Sequence, residues 1–299
     1  MMMMLASTMP LMTTMLLLLA TTARAAAMMS TTSSSSSPKN NAIINHLLNR
    51  PHLTQSYYAL RHGQSLANVA KIISSDPQIS TVQHGLSEMG REQAKLAGEQ
   101  FFKNYYCCPN NNNDNNERFE EGVAIFSSDF KRAKETASLF AQSLIQSSQQ
   151  QQQQQLPSSP VIPIYQNEII LNTSLRERYF GTLNGGSDTQ YQQVWDVDCT
   201  NPNHTEFDVE CANNVLERTT RLIVELDDML SSSSTTTTTT TGSDGKQQQT
   251  NNKKWKVILV AHGDVLQIMQ TGFLRHEDAS RHRSLEHLET ATIRELKLL

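Results

Sequence analysis

The segment KVILVAH, residues 256–262, constrains the fold more than any other stretch of this chain. Side chains alternate between the two faces of a strand, so a run that is aliphatic at both parities needs apolar cover on both faces. It is too short to cross a bilayer and ends at a histidine and a glycine, after which DVLQIMQTGF resumes with helical spacing. A central strand feeding a helix is the expected result, and two other runs repeat the pattern. SYYALRH (56–62) precedes a segment in which Ser87 is placed to cap a helix carrying Ala94, Ala97, Phe101 and Tyr105 on one side. VAIFSSD (123–129) precedes a helix with Ala133, Ala137, Phe140 and Leu144 on one face. VIPIYQNEIIL (161–171) reads as a strand that Pro163 confines to an edge or breaks, and ANNVLERTTRLIVELDDML (212–230) as a helix with Val215, Thr219, Leu222, Ile223 and Leu226 inward. TATIREL, near the C-terminus, is placed to close the sheet. Alternating strands and helices predict an α/β protein, a three-layer α/β/α sandwich with a mostly parallel central sheet.

Polar tracts interrupt this pattern. They predict low-complexity insertions near 109–118, 146–159 and 231–253, all in connections, where added length costs little. Of the 299 residues, 37% are hydrophobic, so what remains is enough for one core, placed at residues 56–299. Residues 1–55 read as a targeting segment followed by a disordered Ser-rich linker. The apolar run 11–20 and the small-x-small pattern Ala23-Arg24-Ala25 resemble a secretory signal with a cleavage site. The residues before that run include no lysine or arginine, and the Ser/Thr-rich, acid-poor composition equally suits an organellar transit peptide. The expected location is the secretory pathway or an organelle, or the cytoplasm if the segment does not function, with no stable membrane span in the mature chain. A net charge of −4 gives no general attraction to nucleic acid or anionic membrane. Cys199 and Cys211 flank a polar loop and suit either a bridge or two free thiols, while Cys107 and Cys108 are adjacent. No cysteine–histidine spacing indicates a metal site. Sequons at Asn172 and Asn203 permit glycosylation of a secreted chain but arise often by chance.

In parallel sheets, sites gather at the carboxyl ends of strands. One predicted strand ends in Arg61-His62, a second in Ser127-Ser128-Asp129 leading to Arg132, and a third in His262. Each residue has an ordinary explanation: Arg132 as a solvated helix residue, Glu177 as part of the charged loop Arg176-Glu177-Arg178, His262 as a satisfied core histidine. Their joint occurrence is harder to explain that way. The motifs RHGQS (61–65), SSDFKRAKETA (127–137), LRERYFGTLNG (175–185) and LVAHGD (259–264) resemble, in order, those of the histidine phosphatase superfamily, in particular its phosphoglycerate mutase-like branch. The resemblance covers residues 56–299 apart from the insertions.

That resemblance implies a phosphomonoesterase in which His62 attacks the phosphoryl group to form a phosphohistidine. Only a neutral nitrogen attacks, so the other ring nitrogen should donate to a backbone carbonyl. Arg61, Arg132 and His262 would bind the phosphoryl oxygens without metal or cofactor, with Asn68 and Gly263 adding substrate contacts. Glu177 would protonate the leaving oxygen and then activate water. Asp264 is a rival acid, because the phytase-like branch carries an aspartate directly after its second histidine. Here Gly263 intervenes, and RHGQS lacks that branch's second arginine. The substrate implied is a phosphorylated small molecule. A cofactor-dependent phosphoglycerate mutase is an alternative, but residues 185–210 contain no lysine or arginine to hold a phosphoglycerate carboxylate. A non-catalytic binding module is a second alternative, set against the presence of His62, Arg132, Glu177 and His262. His52, His84, His204, His276, His282 and His287 are expected to have no site role, and HEDASRHRSLEHLE (276–289) to be a solvated charged segment.

Overall fold

The computed structural model describes residues 44–107, 121–154, 162–233 and 254–299. Five strands form one sheet in the order β3-β2-β4-β1-β5. In chain order the elements are β1 (Ser56–Arg61), short helices α1 (Leu66–Ala70) and α2 (Pro77–Ser80), α3 (Glu88–Phe102), β2 (Gly122–Ser127), α4 (Lys131–Gln154), β3 (Ile164–Leu171), α5 (Tyr191–Asp198), α6 (Ala212–Ser233), β4 (Trp255–Ala261), α7 (Gly263–Phe273) and β5 (Ile293–Leu296). β4 lies at the centre, parallel to β1 and β2, and every one of its residues is buried. β5 runs antiparallel along β1. β3 is the edge strand, as Pro163 suggests; Gln166 and Asn167 adopt positive φ beside the register shift in its pairing with β2.

The parity of the strands divides the core in two. Tyr57, Ala59, Ala124, Phe126, Val257 and Leu259 face α6 and α7, packing with Val215, Ile223, Leu266 and Met269. Tyr58, Leu60, Val123, Ile125, Ile258 and Val260 face α3 and α4, packing with Ala97, Phe101, Ala137 and Phe140. This is the expected α/β layering. Phe101 and Phe140 are fully buried with rings 5.6 Å apart, joining α3 to α4. Burying each such ring contributes about 1.5–3 kcal/mol.

Several expectations change. Residues 44–55, assigned to the linker, belong to the folded body: Leu47 is fully buried, and Asn45 Nδ2 donates to the carbonyls of Gly272 (3.2 Å) and His276 (2.8 Å). The polyglutamine tract is helical as far as Gln154. Glutamine is a good helix former, and extending an existing helix adds a hydrogen bond per residue without a new nucleus. Likewise α6 continues to Ser233, into the start of the third insertion. The targeting segment, the Asn-rich insertion near 109–118 and residues 234–253 lie outside the described residues. Cys199 and Cys211 are free thiols, the first exposed and the second buried. Among the described residues, no helix is long and apolar enough to cross a membrane.

Candidate active site

β1 continues its ladder one residue past its end, where the His62 N–H donates to the Ala261 carbonyl (3.0 Å). The chain then turns at Gly63, packed so closely against α3 that a Cβ there would lie 2.4 Å from the Gly90 carbonyl oxygen. The His62 ring is buried. Its Nδ1 donates to the Gly63 carbonyl at 2.7 Å, and Arg132 Nε donates to its Nε2 at 3.1 Å. The carbonyl assigns the tautomer, leaving the Nε2 lone pair facing the site. Burial, then the charges of Arg132 and Arg61, hold His62 well below the usual histidine range, against the opposing Gly63 hydrogen bond. Arg132, on the first turn of α4, is steadied by Nη2 donating to the Ser74 carbonyl (3.0 Å) and by the Phe130 ring 5.2 Å away.

His262 caps α7 at the end of β4 and is fully buried, its ring centroid 5.2 Å from that of His62. Its Nε2 pairs with Ser128 Oγ at 3.0 Å, and Ser128 Oγ accepts from the Phe130 N–H. With Ser128 donating to Nε2, the proton of a neutral His262 sits on Nδ1, which has no hydrogen-bond partner and lies 4.0 Å from Glu177 Oε2. Burial, then Arg132 and His62, lower His262 as well. Glu177 follows the short 3₁₀ turn after β3. Burial pushes its carboxyl up to about 7, with Arg132 opposing and Asp264 reinforcing the rise. Arg61 directs Nη1 to His287 Nε2 (2.7 Å) and the Leu288 carbonyl (2.8 Å), while its Nε has no partner.

Arg61, His62, Asn68, Arg132, Glu177 and Gly263 all line one cavity of about 300 Å³. His262 is not among the lining residues, but its ring lies beside two of them, 5.2 Å from His62 and 4.0 Å from Glu177. Asn68 Oδ1 is engaged by the Ser65 N–H and hydroxyl at the α1 cap, which leaves its amide nitrogen as the free donor. Gly263 is needed for space: a Cβ there would lie 2.9 Å from His287 Cε1.

Asp264 also touches the cavity but is committed elsewhere. Arg178, fully buried, donates through both terminal nitrogens to Asp198 (2.6 and 2.8 Å) and approaches Asp264 Oδ2 at 3.5 Å. His282 donates Nδ1 to the Ala279 carbonyl, which turns Nε2 toward Asp264 Oδ1 (3.5 Å) and Asp198 Oδ2 (3.7 Å). His204 adds a bond to Asp198 at 2.9 Å. Burial alone would raise Asp264, but His282, Arg178 and Arg283 together hold it well below the usual carboxylate range. The segment 276–289 is thus not simply solvated: His282 is fully buried, Leu288 nearly so, and His287 lines the cavity. Its burial was missed because the anchoring residues are spaced without helix or strand period. Asp188, Tyr191 and Trp195 of the cavity wall were missed too; the signal available was an aromatic pair four apart in an otherwise polar stretch.

The family model of the histidine phosphatase superfamily (branch 2) matches residues 30–291. The chain belongs to the histidine phosphatase superfamily. Glu177 and Asp264 both line the cavity, and of the two only Asp264 is within ion-pair distance of Arg178. Among solved structures, a mycobacterial glucosyl-3-phosphoglycerate phosphatase complexed with VO3 superposes with a TM-score of 0.52 at 19% identity, covering 81% of this chain and 90% of that one. A phosphoserine phosphatase mutant from Entamoeba histolytica, in complex with phosphoserine, gives 0.50 at 15% identity, covering 81% and 89%. A protein described as mycobacterial hydrolase 1 gives 0.52 at 20%, covering 81% and 88%. At such identities the likeness is one of fold. No curated protein sequence matches the chain significantly.

Proposed function

We propose that this histidine phosphatase superfamily member is a phosphomonoesterase acting through a phosphohistidine on His62. The observation that carries the reading is the His62 ring itself: Nδ1 tied to a carbonyl, Nε2 unprotonated beside Arg132, and Glu177 close to half-protonated at neutral pH across the same cavity. In the first step His62 Nε2 forms a bond to phosphorus as the bond to the leaving oxygen breaks, and Glu177 gives that oxygen its proton. In the second, the Glu177 carboxylate takes a proton from water, whose oxygen displaces His62 and releases phosphate.

As substrate enters, the Arg132 Nε–H turns its hydrogen bond from His62 Nε2 to a phosphoryl oxygen, Arg61 offers its unpartnered Nε–H, and His262 offers Nδ1–H. The mycobacterial and Entamoeba neighbours, described as phosphatases, agree with the reaction class. The test is phosphate release from p-nitrophenyl phosphate without added metal. Wild type should turn over, acid-quenched protein should carry acid-labile phosphate, and His62→Ala should lose both. A folded wild type that releases no phosphate would end the proposal.

A further inference from the structure

Away from His62 the cavity is walled by Ile72, Asp188, Tyr191, Trp195 and His287, and its charges can be followed one by one. On the phosphomonoesterase reading, Arg61 and Arg132 are taken by the phosphoryl group. Asp264 is faced by the buried Arg178 guanidinium at 3.5 Å. His287 already contacts Arg61, and burial followed by the Arg61 and Arg283 charges lowers its affinity for a proton, so it supplies no cation. Asp188 differs from these. Its backbone N–H donates to the Lys71 carbonyl (2.9 Å), but its carboxylate makes no ion pair or hydrogen bond among the described residues.

The Tyr191 hydroxyl likewise makes no hydrogen bond among them, and burial, then the Glu177 charge, keeps it protonated well above the usual range. Its ring is fixed in place, edge-on to Phe180 (4.6 Å, 76°) and stacked with Trp195 (5.3 Å, 9°), which in turn carries the Arg283 guanidinium 3.6 Å over its face. The wall is therefore rigid, with one acceptor and one hydroxyl left unused.

We propose that this end of the cavity receives an uncharged, hydroxyl-bearing leaving group, a polyol or sugar, and that Asp188 turns away monophosphates that carry a carboxylate. The proposal rests on the phosphomonoesterase reading and names its substrate class. A second anion entering with the phosphoryl group would find no unused cation among the residues that line the cavity, since Arg283 lies over the Trp195 ring and is hydrogen-bonded to Gln267, and would face Asp188 after losing water. A hydroxyl in its place donates to Asp188 and accepts from Tyr191, and the cavity, at the small end for ligand sites, suits a small monophosphate.

The matched pair glycerol 3-phosphate and 3-phosphoglycerate tests this, with p-nitrophenyl phosphate reporting the chemistry separately. Wild type should favour glycerol 3-phosphate in kcat/KM on the order of tenfold or more, Asp188→Asn should shrink that ratio on the order of tenfold, and Asp188→Lys should reverse it. If p-nitrophenyl phosphate is hydrolysed but 3-phosphoglycerate is the equal or better substrate, or if Asp188→Asn leaves the ratio unmoved, the substrate class is wrong and the phosphatase reading stands. If folded wild type hydrolyses none of the three, the phosphatase reading fails and takes this inference with it.

Discussion

Glu177→Gln should cost activity and yet stabilise the protein at alkaline pH. The Glu177 side chain is only 9% exposed, and burial raises its carboxyl from 4.5 to about 7, Arg132 opposing and Asp264 adding to the rise. Between those limits the folded protein keeps a proton that the unfolded chain has released, so stability falls as pH rises. The contribution is fully present below the unfolded value and lost as pH passes about 7. At about 1.4 kcal/mol per pH unit, that window corresponds to roughly 3 kcal/mol. Glutamine does not titrate, so the variant lacks this dependence while every other titrating group cancels in the comparison. Urea denaturation of both proteins at about pH 5 and about pH 8 should show the variant gaining on wild type by about 2.5 kcal/mol across the interval. A difference that stays constant with pH would refute the claim that burial holds this carboxyl protonated. The kinetic counterpart follows from the leaving group: kcat/KM on an alkyl phosphate should fall about 10²–10⁴-fold. The loss on p-nitrophenyl phosphate should be smaller, since that phenolate departs without a proton.

The ion network behind Glu177 gives a second prediction: Asp198→Ala strands Arg178 without its bidentate partner and should cost about 3–5 kcal/mol in a urea melt. Asp264→Asn should destabilise at neutral pH, because its depressed carboxyl contributes stability above the unfolded value of 3.8 that is lost only as pH falls below it; the alkaline limb of the rate profile, set by Glu177, should remain but move to lower pH, since the Asp264 charge adds to the rise at Glu177. If that limb disappears in Asp264→Asn and persists in Glu177→Gln, the two acids have been assigned the wrong way round. Gly63→Ala drives a methyl into backbone rather than a movable side chain, so a loss of about 1–3 kcal/mol is expected. It should come with reduced turnover, since Gly63 also holds the His62 tautomer; full activity at unchanged stability would show that the turn relaxes freely.

What could be read in the sequence and what could not differ for a physical reason. β4 and its two neighbours were legible because a strand covered on both faces has to be apolar at both parities, and the helices that cover it repeat every three to four residues. His62, His262 and Arg132 were legible as candidates because they sit where those patterns stop: the two histidines one residue beyond β1 and β4, Arg132 in the first turn of α4. Glu177 needed the motif, since it lies on an irregular turn. The leaving-group wall obeys no such rule. Asp188 and Tyr191 share the short turn that leads into α5, His287 comes from the connection between α7 and β5, and only tertiary packing makes the two segments neighbours. The histidines set aside in 276–289 show the same limit: a segment dense in charge reads as solvated until Asp198 and Asp264 are found facing it. Residues at sheet ends are therefore marked by the strand pattern itself, while the rest of the cavity wall is recruited from loops, where no pattern marks a residue such as Asp188.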